Sequence, residues 1–333
     1  MQQIEVQELN PTQTLLTPKP VKNPSTQPST EDSDTKKHLL RTFTVDEKID
    51  WAGSIPFFSV HVIGILAIFT GISWPAIAMC LFMYYARMFA ITGIYHRYFS
   101  HRTYKTSRFF QFIMAVWGTS CAQQGPLWWA AHHRHHHKFS DMPEDIHSPG
   151  LRGFWWAHWG WLICKRYSDT NEEAVKDLTK YPELKFINKY HHLAPFALAT
   201  LIFFFGAFLG RVAPGLHTNG LQMISWGFFT STTLLYHGTF TINSLSHVFG
   251  KKRFETGDDS KNNFILSIIT MGEGWHNNHH KFPFAEPQGI YWWEIDMSHY
   301  VLKIFSWVGL VWDIQIHPKE LFAKGSANKE KAA

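Results

Sequence analysis

Four long apolar stretches punctuate an otherwise polar chain of 333 residues: Ile55 to Ile72, Pro75 to Tyr95, Leu193 to Leu209 and Leu221 to Ile242. Each is roughly 17 to 22 residues long, close to the ~20 that an α-helix needs to cross a ~30 Å hydrocarbon layer. Only Ser73 and Trp74 join the first two, which predicts a tight helical hairpin. A short loop with Arg211, Pro214, Gly215 and Gly220 joins the last two. A fifth run, Phe109 to Trp129, contains Gln111, Ser120, Gln123, Gln124, Gly125 and Pro126. It is expected to lie at the interface as an amphipathic helix, because a crossing there would split the flanking histidines between two membrane faces. The pattern predicts an all-α integral membrane protein, with four transmembrane helices in two hairpins and a helical cap built from residues 96–192 and 243–318.

The polar remainder refines this picture. Residues 1–40 are rich in Pro, Thr, Ser, Gln and Lys and predict a disordered tail, as residues 319–333 predict a flexible one. The start of the chain lacks the apolar core of a cleavable signal peptide. Positive charge collects on one side of the spans. Lys36, Lys37, Arg41 and Lys48 precede the first, Arg102 to Arg166 follow the second, and Lys251, Lys252, Arg253, Lys261 and Lys281 follow the fourth. The two opposite loops hold Arg211 alone, so both termini and the cap are expected in the cytosol. The net charge of +5 is scattered along loops, without a nucleic-acid motif, and points to an anionic lipid surface rather than nucleic acid. Cys80, Cys121 and Cys164 form no C-x-x-C pair, which predicts free thiols in a reducing compartment.

The 21 histidines carry the candidate chemistry. His96 and His101 sit at the end of the second span. His132-His133-Arg134-His135-His136-His137 follows the interfacial run, Asn243 to His247 closes the fourth span, and His276-Asn277-Asn278-His279-His280 lies beyond it. His-x-x-His-His places imidazoles at i, i+3 and i+4, one face of a helix, and neutral imidazole binds iron, copper or zinc. The second cluster fits this pattern in two registers, His132/His135/His136 and His133/His136/His137. His96 and His101 lie about 140° apart on an ideal α-helix and can share a site only where the helix ends. All four groups fall on the cytosolic side that the charges predict. Together they exceed the needs of one ion, which implies two. Glu144/His147 and Glu273/His276 mimic the Glu-x-x-His of carboxylate di-iron bundles, but prolines and glycines around both motifs exclude the long helices that class requires.

The segments His96-Arg97-Tyr98-Phe99-Ser100-His101, His133 to Lys138, Asn243-Ser244-Leu245-Ser246-His247 and Gly272 to His280 resemble the motifs of membrane fatty-acyl desaturases of the stearoyl-CoA, or acyl-CoA Δ9-desaturase, type. The likeness runs from about Trp51 to Asp313 and leans to the bacterial branch. It implies a di-iron centre of two Fe2+ ions that uses O2 to introduce a cis double bond, at Δ9, into a saturated acyl chain. By the same resemblance the ligands are His96, His101, His133, His136, His137, His247, His276, His279 and His280, with Asn243 acting through a water. Asp141, Asp145 and His147 orient imidazoles, and Gln123, Trp129, Thr239 and Phe240 line an acyl tunnel.

Departures from the family pattern bear on the substrate. Ala131 and His132 stand where animal acyl-CoA enzymes have Arg and Asp, Phe240 stands where they have Trp, and Ile146 replaces a usual Pro. Acyl-CoA and acyl-lipid are both candidate carriers. Electrons must come from an external donor, such as a ferredoxin or cytochrome b5 with a reductase, since the chain has no haem, flavin or iron–sulfur motif. The expected location is a bacterial inner membrane rather than the endoplasmic reticulum. The competing functions are a hydroxylase with the same metal site and a non-catalytic metal transporter. The transporter would place ionisable residues inside its spans.

Overall fold

A computed structural model describes residues 47–318 and residue 321. The two expected tails therefore lie outside the described residues, apart from Leu321. Helices begin where prolines or capping side chains supply a start. Helix α1, Ile55–Leu66, has Pro56 in its first turn, continues as the 3-10 turn Ala67–Thr70 and stops at Gly71, whose φ of 81° turns the chain. Helix α2, Trp74–Phe89, has Pro75 in its first turn and runs directly into a π-helical stretch, Ala90–Ser100. Ser107 caps α3, Arg108–Thr119, by accepting from Phe110 N at 3.1 Å. Helix α4 is Pro126–Phe139, and short helical turns fill much of the segment from Pro149 to Lys189. Helix α5, Leu193–Val212, packs on α6, a helical run made of Gly220–Ile224, the π-helical Ser225–Thr230 and Ser231–Asn243. In the cap, α7 is His276–Lys281 and α8 is Met297–Trp307.

Among the described residues, Trp74–Ser100 and Leu193–Val212 are long and apolar enough to cross a membrane, and Ile55–Thr70 is apolar but shorter. The fourth expected span is helical from Gly220 to Asn243 but more polar. Ser231, Thr232 and Thr233 return their hydroxyls to the carbonyls of Gly227, Phe228 and Phe229, a local pairing that lets a helix carry hydroxyls in apolar surroundings. Two of these hydroxyls also receive the fully buried Arg87 of α2, at 2.6 Å to Ser231 and 2.8 Å to Thr232, which binds α2 to α6. The α5–α6 hairpin closes tightly at Gly206, where a Cβ would collide with Met223 and lie 2.7 Å from the Asn219 carbonyl.

Two features depart from expectation. The run from Phe109 to Trp129 is not one amphipathic helix. It breaks after Thr119, passes through Ala122 and Gln124 at positive φ, and restarts at Pro126, so its last residues open the histidine helix α4. The chain is also not wholly helical, because Lys105–Thr106 (β1) pairs antiparallel with Val311–Trp312 (β2), Lys105 opposite Trp312. This ribbon, with Gln315 N bonded to the Thr103 carbonyl at 2.8 Å, ties the C-terminal stretch to the segment that follows His101. All three cysteines are free and buried.

The main apolar core joins the elements that carry histidines. Ile91, Ile94, Tyr95 and Phe99 meet Met114 and Ala115 of α3, Leu127, Ala130 and Ala131 of α4 and Leu302 of α8. Beside it lies an ionic core. Arg97, fully buried, reaches Glu286 and Asp296 at 2.9 Å and Glu273 at 3.4 Å. Burial opposes its charge, but the three carboxylates outweigh that and hold it firmly protonated. Removing one partner from such a buried set costs about 3–5 kcal/mol, because the remaining charges are left uncompensated. Arg97→Met is therefore expected to lower the melting temperature of the detergent-solubilised protein by many degrees, and Arg97→Lys by less. A melting curve unchanged in Arg97→Met would show that the ionic core is not structural.

Candidate metal centre

Imidazoles from four parts of the chain converge in two adjoining sets. The ligand atoms within each set lie within 4.8 Å of one another. His96, His101, His133, His137 and His279 form the first, and His136, His247, His276 and His280 the second. The i, i+3, i+4 spacing explains how one helix serves both: α4 sends His133 and His137 to the first set and His136 to the second. Helix α7 does the reverse, with His279 in the first and His276 and His280 in the second. The two sets touch, the rings of His137 and His280 lying 4.5 Å apart.

The π-helical stretch solves a problem that α-geometry poses. Its i→i+5 bonding widens the turn, and His101 N bonds to the His96 carbonyl at 3.2 Å, closing such a turn between the two residues themselves. Their rings come to 4.9 Å. The pair thus shares a site through a wider helix and not only through its position at a helix end.

Four imidazoles are oriented by carboxylates at Nδ1. Glu273 lies 2.6 Å from His96, Asp145 3.1 Å from His136, Asp141 2.9 Å from His247 and Asp258 2.6 Å from His280. A neutral histidine that donates from Nδ1 carries its lone pair on Nε2. Those Nε2 atoms point into the sets: His96 to His279 at 3.0 Å and His247 to His276 at 3.1 Å, while His101 meets His133 at 2.8 Å and His137 meets His279 at 2.9 Å. His280 Nε2 is buried with no hydrogen-bond partner among the described residues. Lone pairs crowded together in this way fit a cation between them, and an all-imidazole donor set suits divalent iron, copper, zinc or nickel.

The aspartates stay ionised. Burial pushes the Asp141 carboxyl up, but bonds from His247 and Ser148 outweigh it and hold the group at about 2. Asp145 and Asp258 are likewise held below the usual carboxylate range against their burial, mainly by His136 and His280 respectively. Asp141 and Asp145 thus sit on imidazoles. His147 belongs to neither five- nor four-histidine set. It packs on the His136 ring at 4.4 Å, and its Nδ1 has no hydrogen-bond partner among the described residues.

Of the two registers left open by spacing, the geometry brings together His133, His136 and His137. His132 instead bonds through Nδ1 to the Trp128 carbonyl at 2.9 Å, and His135 through Nε2 to the Glu144 carbonyl at 2.9 Å. Asn243 lines a small cavity between the sets with His96, His133, His136 and His276. A larger cavity of about 500 Å³ reaches the same place. Gln123, Trp129, Thr239 and Phe240 all line it, with Gln123 Nε2 donating to Thr239 Oγ1 at 3.0 Å.

Three functional side chains escaped sequence reasoning. Glu273 was visible only as half of a Glu-x-x-His pair. It acts on His96 rather than joining the converging ligand atoms. Asp258 carries no spacing signal, lying 22 residues before its partner His280. Gln288 donates to Glu273 at 2.7 Å and steadies it.

Two outcomes follow from this geometry. Removing an outer carboxylate from a metal-bound histidine typically costs about 10–100-fold in affinity. Glu273→Gln should therefore strip metal from the purified protein at correspondingly lower chelator concentration, read by elemental analysis, while His135→Ala retains it. The second concerns pH. Burial, reinforced by neighbouring imidazoles, pushes His101, His133, His137, His276 and His279 well below 6.5. Below that pH the unfolded chain takes up protons that the folded sets refuse, so the metal-free protein is most stable above it and weakens as pH falls through it. Melting temperatures measured downward from neutral pH should drop. A rise would contradict buried neutral imidazoles.

Comparison with known proteins adds to this geometry. A family model described as fatty acid desaturase matches residues 72–309. The chain is 34% identical over 274 residues to the chloroplastic palmitoyl-monogalactosyldiacylglycerol delta-7 desaturase of Arabidopsis thaliana, covering 80% of this chain and 69% of that one. It is 35% identical over 266 residues to an acyl-CoA 5-desaturase of Anemone leveillei, covering 79% and 78%. It is 31% identical over 276 residues to the sn-1 stearoyl-lipid 9-desaturase of Anabaena variabilis, covering 82% and 96%.

Proposed function

The chain belongs to the fatty acid desaturase family, and on that premise we propose that it is an O2-dependent desaturase that introduces a cis double bond at Δ9 into a saturated acyl chain. The observation that carries this reading is the pair of adjoining all-histidine sets at the end of a 500 Å³ cavity. The relatives act at positions 5, 7 and 9 on lipid-bound or CoA-bound chains by their names. The Δ9 choice rests on the stearoyl-type motifs.

Nine histidines, with Asn243 through a water, would hold two irons. These supply the oxidising power that unactivated C–H bonds require, since such bonds offer nothing to acid–base or nucleophilic groups. The balance is one dioxygen, two electrons and two protons in, and two hydrogens of the acyl chain out as part of two waters. Gln123, Trp129, Thr239 and Phe240 would bend and hold the chain so that its reacting carbons lie beside the histidines. Asp141, Asp145, Asp258 and Glu273 keep the imidazoles in one tautomer and orientation, so that the site is assembled before substrate arrives. An external ferredoxin, cytochrome b5 or similar donor with its reductase would deliver the electrons.

The membrane arrangement belongs to the same proposal. The chain would cross four times, through α1, α2, α5 and α6, with both termini and the histidine cap in the cytosol of a bacterium. The charge asymmetry of the loops supports this sidedness.

The test is expression in a host that makes no unsaturated lipid, followed by chromatography and mass spectrometry that locate double bonds. A new cis-Δ9 acid is expected, and it should disappear in His136→Ala and His280→Ala at unchanged membrane levels of protein. A hydroxylated acid without any new double bond would defeat the proposal in favour of a hydroxylase.

A further inference from the structure

Aromatic rings lead outward from the histidine sets without a break. The His147 ring lies 4.4 Å from that of His136 in one set, and Trp129 stacks on His133 of the other at 5.0 Å. His147 lies 5.2 Å from Trp161, which stacks on Trp128 at 5.7 Å with the planes 4° apart, and Trp129 packs against the same cluster. Trp161 then meets Tyr167 at 6.3 Å. Among aromatic side chains, indole and phenol give up an electron most easily.

Packing alone does not account for these rings. The indole N–H of Trp161 and Nδ1 of His147 are buried and have no hydrogen-bond partner among the described residues. A buried tryptophan N–H normally finds an acceptor, and leaving it open is costly. Phenylalanine or leucine would fill the same apolar space without that cost. Tyr167 is set up differently. Its hydroxyl donates to Glu47 Oε1 at 2.6 Å and accepts from Arg152 Nη1 at 3.0 Å, the first a short bond of the kind a carboxylate accepts. An oxidised phenol sheds its proton, and here a carboxylate stands ready to receive it. An oxidised Trp161 has no such acceptor, keeps its proton and passes the electron vacancy on. Trp128, Trp129, His147 and Trp161 also line the acyl cavity. With that cavity empty, they border the histidine sets where the C–H bonds of a substrate would otherwise stand.

Resting on the desaturase reading, we propose that Trp161 and Tyr167 form a relay that discharges the metal centre when dioxygen has oxidised it and no acyl chain is bound. One electron moves from Trp161 to the centre, one from Tyr167 refills Trp161, and the Tyr167 hydroxyl proton passes to Glu47. The centre gains one electron and Tyr167 is left as a neutral phenoxyl radical. An electron from the external donor, with the proton held on Glu47, restores the phenol. The ligand histidines are thereby spared oxidation.

The experiment uses the full-length, iron-loaded enzyme in detergent, reduced, exposed to dioxygen without acyl substrate and frozen for electron paramagnetic resonance. An organic radical is expected, with a hyperfine pattern that changes when the protein is made with ring-deuterated tyrosine. Tyr167→Phe and Trp161→Phe should each lose this signal. Trp292→Phe, at an exposed ring, should keep it, all three at wild-type iron content and melting temperature. Where Trp161→Phe does not accumulate, Tyr167→Phe decides alone. After repeated substrate-free cycles, peptide mass spectrometry should find oxygen added to His133 and His136 sooner in Tyr167→Phe than in the wild type. A tyrosine signal that survives in Tyr167→Phe, or the absence of any radical in enzyme that desaturates its host's lipids, overturns the relay and leaves desaturation standing. No new double bond in the host lipids overturns the desaturase reading, and the relay with it.

Discussion

A carboxylate hydrogen-bonded to the far nitrogen of a buried imidazole is the interaction on which the rest of this molecule depends. Four such pairs, Glu273–His96, Asp145–His136, Asp141–His247 and Asp258–His280, fix the tautomer and turn the free lone pair inward. Without them, neutral imidazoles crowded into a dry core would rotate to pair with one another or take up protons and repel. The demand propagates outward. Glu273 is held in turn by Gln288 and Arg97, and Arg97 is held by Glu286 and Asp296, so the ligand shell continues into the ionic core of the cap.

Helical geometry divides the ligands with few elements. An i, i+3, i+4 triplet on α4 and another on α7 each send residues to both sets. A short cap of two facing helices can thereby build two neighbouring sites. The remaining histidines lie just beyond α2 and α6, where the apolar cavity between the helices ends. A reaction on an acyl chain needs this arrangement. The apolar cavity between the helices meets a polar, histidine-rich cap at one level, and Gln123 and Thr239 mark where the first gives way to the second.

Much of the architecture was legible because its signals are local. Long uncharged stretches, loop charge, histidine spacing at helical period and the four ordered motifs each occupy a short window. The departures arose where local rules meet tertiary demands. Asn188 Oδ1 receives the amides of Leu127 and Trp128 at the start of α4, a contact across 61 and 60 residues that helps to break the apolar run there. The β1–β2 ribbon pairs residues about two hundred positions apart, beyond the reach of any periodicity. The π-helical stretch from Ala90 to Ser100 likewise has no spacing signature of its own.

The sequence by itself determined the apolar helices, the histidine clusters at helical spacing and, through resemblance, the class of chemistry. Composition and short-range spacing are enough for these, because each follows from the solvent or the helix a residue sits in. Resemblance had already singled out His133, His136 and His137, and only the tertiary structure decided where the others turn, His132 to the Trp128 carbonyl and His135 to that of Glu144. It also decided that Glu273 and Asp258 stand behind His96 and His280. The physical reason is the same in each case. A lone pair or a carboxylate acquires its role from the group it meets in space, and those groups come from segments of the chain far apart in sequence.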